Sequence, residues 1–337
     1  MSKFSLDVLS RCVHPFIKTN DPDVILGSVF GEDVALTRIH SGLLVSHIDP
    51  IVGAVKDIGW LAVHVACNDI ATSGTSPRWV LLLVLVPDKG DEQILEEIMR
   101  DAGRAADEIG VSIIGGHTGY SSNLSRPLVA VTAMGTMSNQ KPILTKGAQV
   151  GDHIIITKGI ALEGTAILAN DFSNIAKQMG LSDQELTEGR GLMKGISIIP
   201  EALLLSQRGA TSMHDVTRGG LLETLLEVAK LSNVGMKVYT DRIPILPVVS
   251  HFSKAFQFDP LKMISSGTLV ATIPTEHLAA TKQSLDDKGI VFADIGQIVE
   301  GIGVQIIQNG QITLYQEIHC EEDELARMWV NFPRDST

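Results

Sequence analysis

The chain has 337 residues, and at roughly 150 residues per domain that length implies two domains, each with its own core. A hydrophobic share of 44%, a charged share of 20% and a mean hydropathy of +0.20 exclude a chain dominated by disorder. Its 27 basic and 39 acidic residues leave a net charge of −12, which argues against gripping nucleic acid phosphates or an anionic membrane surface. Small molecules and other proteins remain as partners.

Cys12, Cys67 and Cys320 lie far apart with no Cys-x-x-Cys pair, a usage that fits a reducing compartment. The opening residues are interrupted by Lys3, Asp7 and Arg11, so they lack the apolar stretch of a secretion signal and read as an ordinary helix. The longest apolar run, Trp79 to Val86, has eight residues, far short of the roughly 20 that cross a bilayer. A soluble, cytoplasmic protein with no membrane or nucleic acid partner is expected.

Strand-like Gly42–Ile48 is followed by a helical pattern over 57–73, the Trp79–Val86 strand and a helix over about 91–109. In that helix Ile94, Leu95, Ile98, Met99, Ala102 and Ala106 recur at helical spacing between charged residues, so one face is core and the other solvent. Val111–Ile114 and Leu128–Met134 read as two more strands. A turn-rich segment, Lys146–Asp152, precedes a fresh strand at His153–Thr157, and the domain boundary is placed there: 1–148 and 149–337. The second part continues with helices over about 160–170 and 219–231 and strands at Lys237–Tyr239, Thr268–Ile273 and Gly303–Ile307. The fold class is therefore α/β (α+β) with two domains, and no solenoid repeat is present.

Acidic residues recur near the ends of these elements: Glu32 and Asp33, Asp49 after His47, Asn68 and Asp69, and Asp215 after His214. Each alone also reads as a turn or cap residue. As a set they match Mg²⁺, which takes hard oxygen donors from one or two carboxylates together with substrate phosphates. Gly27-Ser-Val-Phe-Gly31 is a candidate phosphate cradle, and equally a surface turn. Gly115-Gly116-His117-Thr118 follows the strand Val111–Ile114, which would present an imidazole and a hydroxyl at a strand's carboxyl end; a tight turn with a solvated histidine is the plainer reading. Asp215-Val-Thr217-Arg218-Gly219-Gly220 leads into the apolar run Leu221–Val228. A helix entrance of that kind binds anions, with Arg218 supplying a fork of donors, unless Asp215 or Thr217 simply caps the helix and Arg218 lies on the surface.

P-loop, dinucleotide-binding, zinc-hydrolase and serine-hydrolase signatures are all missing. Cys67, inside a helical pattern, reads as a buried small hydrophobe rather than a nucleophile.

In this order, Gly31-Glu-Asp33-Val-Ala, Asp49, Asn68-Asp-Ile-Ala71, Gly74-x-x-Pro77, Gly115-Gly-His-Thr118, Gly151-Asp152 and Asp215-Val-Thr-Arg-Gly-Gly220 resemble the motifs of the aminoimidazole ribonucleotide (AIR) synthetase superfamily. It includes the purine-pathway synthetase, thiamine-monophosphate kinase, selenophosphate synthetase and the hydrogenase maturation E protein. The motifs run from about residue 25 to residue 300. The resemblance implies an N-terminal domain whose strands join those of a second copy in a homodimeric β-barrel. It also implies a C-terminal α/β domain closing over a cleft for ATP and Mg²⁺.

Carried over by position, Asp33, Asp49 and Asp69 would be the metal and phosphate-proximal acids. Gly27, Gly31, Asn68, Gly115, Gly116, Thr118, Thr217, Gly219 and Gly220 would bind the cofactor. Asp69, His117, Asp215 and Arg218 would be catalytic, with Gly115 to Thr118 forming a nucleotide or substrate loop. Two departures stand out: Glu32 occupies the first position of a usual Asp pair, and His117 stands where the kinase and the hydrogenase protein carry Asp. The segments around Asp215 and Gly267-Thr-Leu-Val most resemble the hydrogenase maturation E protein. Its C-terminal cysteine, the residue it dehydrates to a thiocyanate, has no counterpart, because Cys320 stands 17 residues before Thr337. The resemblance thus implies an ATP- and Mg²⁺-dependent enzyme that activates a small-molecule or peptide acceptor by phosphoryl transfer or through a phosphorylated intermediate. A protein partner in metalloenzyme maturation is implied as well. The alternative is a non-catalytic dimeric assembly factor that keeps the fold.

Overall fold

The computed structural model describes residues 2–3, 8, 11–18, 20–26, 36–39, 41–51, 56–88, 91–138, 141–317 and 324–332. Contacts divide the chain into two units, Met1–Ala71 with Thr75–Lys141, and Thr72–Gly74 with Pro142–Thr337. Gly27, Gly31, Glu32, Asp33, Cys320 and the last five residues lie outside the described residues.

In chain order the first unit contains β1 (Ser2–Lys3), β2 (Val24–Leu26), β3 (Leu36–Thr37), β4 (Leu43–Ile51), α1 (Ile58–Thr72), β5 (Pro77–Val86), α2 (Glu92–Ile109), β6 (Ser112–Tyr120) and β7 (Leu128–Met137). Five strands form a mixed sheet in the order β1-β6-β5-β7-β4, while β2 and β3 pair separately. Along β5, Val80, Leu82, Val84 and Val86 are buried, whereas Leu81, Leu83 and Leu85 are half-buried, the two-residue period of a sheet with one covered face. Leu95, Ile98, Met99, Ala102 and Ala106 form the buried stripe of α2, which ends at Gly110 in the left-handed conformation, φ 71°. α1 approaches α2 so closely that a Cβ on Gly59 would lie 2.1 Å from the Ile98 carbonyl oxygen.

Two local expectations change here. Ser2–Lys3 is a strand paired with Tyr120 and Gly119, not part of a helix, because the edge of β6 offers backbone groups that a local helix would leave unpaired. Gly115–Thr118 lies inside β6 rather than in a loop. The register shift between β5 and β6 absorbs one residue near Ile114, and the strand then runs on in parallel beside Leu81–Val86. Gly116 makes this approach feasible: its φ is 150°, and a Cβ there would sit 1.9 Å from the Leu82 carbonyl oxygen.

The second unit contains β8 (His153–Thr157), α3 (Leu162–Asp171), α4 (Ser173–Gln178), α5 (Asp183–Gly191), α6 (Ile199–Gln207), β9 (Ser212–Val216), α7 (Gly220–Ser232), β10 (Gly235–Tyr239), α8 (Pro247–Phe256), β11 (Ser265–Ile273), α9 (Thr275–Asp287), β12 (Phe292–Val299), β13 (Gly303–Gln308), β14 (Gln311–Tyr315) and α10 (Glu324–Asn331). Its seven-stranded sheet has the order β14-β13-β10-β12-β8-β11-β9. α7 lays Leu221, Leu222, Leu225, Leu226, Val228 and Ala229 against Ile154, Ile156, Val270, Ile295 and Ile298 of the sheet. A second core gathers Phe172, Phe252, Phe256, Met263, Leu325 and Met328. β11 is buried along its whole length, as expected of a central strand covered on both faces.

Candidate functional site

In the first unit the acids predicted from sequence come from β4 and α1. His47 and Asp49 stand two residues apart on β4, opposite Ala133 and Val131 of β7, so both lie on the sheet face where Val131 and Ala133 are buried. α1 brings Asp69 to that face, its Oδ2 3.3 Å from His47 Nε2. Asn68 is fully buried and Asp69 half-buried. A tertiary contact thus joins the Asp69 and Asp49 segments. Cys67 is the buried hydrophobe expected: burial first, and the charge of Asp69 second, push its thiol well above the ordinary range. Among the described residues no group of three His, Cys, Asp or Glu side chains could hold a metal by itself.

The Gly-Gly-His-Thr stretch divides between two faces. Gly116 pairs with Leu82 and Thr118 with Val84, whose side chains are buried, whereas His117 pairs with Leu83 on the opposite, half-buried face. Gly116 also shares a row with Asp49 through Leu82 and Val131, but three strands away, roughly 14 Å at ordinary strand spacing. His117 Nε2 is shut off from solvent without a hydrogen-bond partner among the described residues.

In the second unit the motif from Asp215 to Gly220 forms the end of β9 and the entrance to α7. Gly219 and Gly220 take left-handed φ values of 74° and 66°, and Gly219 occupies the N-cap position of the helix, so neither Asp215 nor Thr217 is the capping residue. Asp215 is 1% exposed and its Oδ2 has no hydrogen-bond partner among the described residues. Arg218 is exposed. His214 links the motif to the helix: its Nδ1 donates to the Asp215 carbonyl oxygen at 2.6 Å and lies 3.5 Å from Asp215 Oδ1, while Nε2 lies 3.3 Å from Glu227 Oε2 on α7. Burial opposes charging this ring, but hydrogen bonds to the Asp215 and Glu227 side chains prevail and raise its pKa to about 10.

Polar residues around β11 complete this region and went unread as site residues. The register with β9 shifts between Ser265 and Leu269, opposite Val216 and Asp215. Within that bulge Ser266 donates its backbone N–H at 3.2 Å and its hydroxyl to Glu163, a carboxylate only 4% exposed in the first turn of α3. Lys158, at φ 62°, pairs with buried Glu201 at 2.7 Å and donates to the carbonyls of Gly195 and Ser197. The only signal in the sequence was an acid in the first turn of an otherwise apolar helix and a Lys-Gly pair after a strand.

Two family models match the chain: the AIR synthase related protein N-terminal domain over residues 31–137 and its C-terminal domain over 149–308. The carbamoyl dehydratase HypE of Bradyrhizobium diazoefficiens is 27% identical over 80% of this chain and 78% of its own length. The selenide, water dikinase of Myxococcus xanthus is 24% identical over 89% and 92%. Among solved structures, HypE of E. coli, a hydrogenase maturation protein, superposes with a TM-score of 0.79 at 19% identity, covering 94% of this chain and 97% of that one. HypE in complex with ATP gives 0.75 at 22% identity, covering 93% and 95%. A HypE–HypF complex gives 0.69 at 21% identity, covering 81% and 90%.

Proposed function

The chain belongs to the AIR synthase related family, and on that premise we propose that it is an ATP- and Mg²⁺-dependent enzyme activating a small-molecule or peptide acceptor. The observation that carries this reading is Asp215: a carboxylate 1% exposed, one oxygen without a hydrogen-bond partner among the described residues, beside the Gly219 entrance of α7. Buried polar atoms are nearly always paired, so this one marks a place completed by a ligand.

Asp49 and Asp69 fit the hard-oxygen chemistry of Mg²⁺, which needs only one or two carboxylates when phosphates supply the remaining donors. That accords with the lack of a ready three-residue metal cluster among the described residues. Asp33, with Gly27 and Gly31, is assigned to the same phosphate-proximal role. Arg218 and the backbone N–H groups after Gly219 are assigned to anionic oxygens, where a planar guanidinium and a helix entrance both favour negative charge. ATP supplies the activated phosphoryl group. The protein's contribution is positioning and charge neutralisation.

The half-buried face of Leu81, Leu83 and Leu85, with exposed Leu44 and Ile48 on the edge strand, supports a homodimer closed through this sheet. On that arrangement His117 belongs to the subunit interface rather than to the nucleotide. The matches to HypE support a role in metalloenzyme maturation with a protein partner. No helix among the described residues is long and apolar enough to cross a membrane. Calorimetry and phosphate release with and without Mg²⁺ test the reading: Mg²⁺-dependent ATP binding with ADP formation is expected. Absence of nucleotide binding in every condition sinks it and favours the non-catalytic assembly factor.

A further inference from the structure

The loop between β6 and β7, residues 121–127, holds a cation with no counter-charge among the described residues. It is anchored at the carboxyl end of β5, where Ser121 N–H donates to the Val86 carbonyl at 2.9 Å, and it turns through Leu124 N–H to Ser121 O at 3.0 Å. Arg126, half-buried, follows that turn immediately before Pro127 and β7. Its Nη1 is shut off from solvent and donates no hydrogen bond, and its guanidinium takes part in no ion pair among the described residues. The neighbouring sequence offers no remedy, for no Asp or Glu occurs from Val111 to Lys146. Arg78, the other half-buried arginine facing this question in the same unit, is satisfied by Asp21 at 2.9 Å and Asp23 at 2.8 Å.

Guanidinium does not lose its charge in a protein, and an N–H shut off from solvent costs free energy unless something accepts its hydrogen bond. The partner missing here has the chemistry of a planar or tetrahedral oxyanion, which a guanidinium fork engages with two parallel N–H donors. The position is also the one where ligands gather in α/β sheets, beyond the carboxyl ends of the parallel pair β5 and β6. We propose that Arg126 binds an oxyanion, carboxylate or phosphate, carried by the acceptor substrate. The acceptor clause rests on the reading of the chain as an acceptor-activating enzyme; the oxyanion site does not.

The test uses the full chain, with inorganic phosphate and acetate as probes. Thermal unfolding of wild type, Arg126→Gln and Arg126→Lys is followed in phosphate, acetate and chloride at matched ionic strength, with calorimetric titration of phosphate and of Mg²⁺-ATP. Phosphate or acetate is expected to raise the wild-type Tm above its value in chloride. Arg126→Gln should weaken the anion affinity at least tenfold, Arg126→Lys should retain part of it, and Mg²⁺-ATP affinity should stay within about threefold in all three proteins. An equal anion response in wild type and Arg126→Gln, or none in either, overturns the site. A tenfold loss of Mg²⁺-ATP affinity in Arg126→Gln overturns the assignment to the acceptor, since the anion would then be the nucleotide's. A change confined to sedimentation behaviour overturns the small-anion proposal, because the partner would then be a carboxylate of a second copy. Phosphate binding through Arg126 in a protein that binds no ATP would refute the enzyme reading and leave the anion site standing.

Discussion

Replacing His214 with alanine should change how stability depends on pH more than it changes the fold. The ring sits between Asp215 and Glu227, and its pKa rises from the ordinary 6.5 to about 10. At 1.36 kcal/mol per pKa unit this sets a ceiling of about 5 kcal/mol on the stabilisation from protonating His214. The side chain is 23% exposed, and screening there brings the expected contribution to about 2–3 kcal/mol. A raised folded-state pKa means that this stability is fully present below pH 6.5 and is lost as pH climbs from 6.5 to 10. Urea unfolding of wild type and His214→Ala at pH 6, 7, 8, 9 and 10 measures it, because groups common to both proteins cancel in the difference. Wild type should lose its advantage steadily across that window. Parallel stability curves for the two proteins from pH 6 to 10 would refute the reasoning and show that the ring is neutral in the folded protein.

Asp69→Ala and Asp49→Ala should each weaken Mg²⁺-dependent ATP binding at least tenfold while lowering Tm only slightly, since neither carboxylate is buried in the core; equal affinity with and without them, by calorimetry, removes them from the site. Arg218→Lys should lower ATP turnover about tenfold or more with Tm unchanged, because the side chain is exposed and an ammonium is not an equivalent fork; an unchanged rate of phosphate release takes Arg218 out of the machinery. Gly116→Ala should cost at least about 3 kcal/mol and reduce soluble yield, for the new Cβ meets the Leu82 carbonyl oxygen at 1.9 Å in a backbone conformation disfavoured for L-residues. A variant with wild-type Tm would show that β5 and β6 can separate there at little cost.

The parts of the fold that could be read from sequence are those whose cause is local. Of the apolar stripe Ile94, Leu95, Ile98, Met99, Ala102 and Ala106, all but Ile94, which is exposed, form the observed buried face of α2, and the apolar run ending at Val86 predicts β5. The Asp215–Gly220 motif indicates a turn into a helix, which β9 and α7 supply. Another local cause is a helix cap: Ser182 and Glu185 form a reciprocal capping box at the start of α5, a pattern written in Ser-x-x-Glu. Gly115-Gly116 reads as a turn in isolation, whereas pairing with β5 carries both glycines inside β6, Gly116 at φ 150°.

The sequence by itself determined the family, the two-part α/β organisation and the residue types available to hold phosphate and Mg²⁺, because motifs, composition and hydrophobic period are properties of short stretches. Only the tertiary structure decided which of these residues meet. It set Asp69 beside His47 across 22 residues of chain, pinned His214 between Asp215 and Glu227, and turned His117 to the face opposite Gly116 and Thr118. It also left Arg126 Nη1 without a hydrogen-bond acceptor among the described residues. Strand register and helix docking are fixed by burial summed over the whole unit, and in a strand one residue of register decides the face on which a side chain lies.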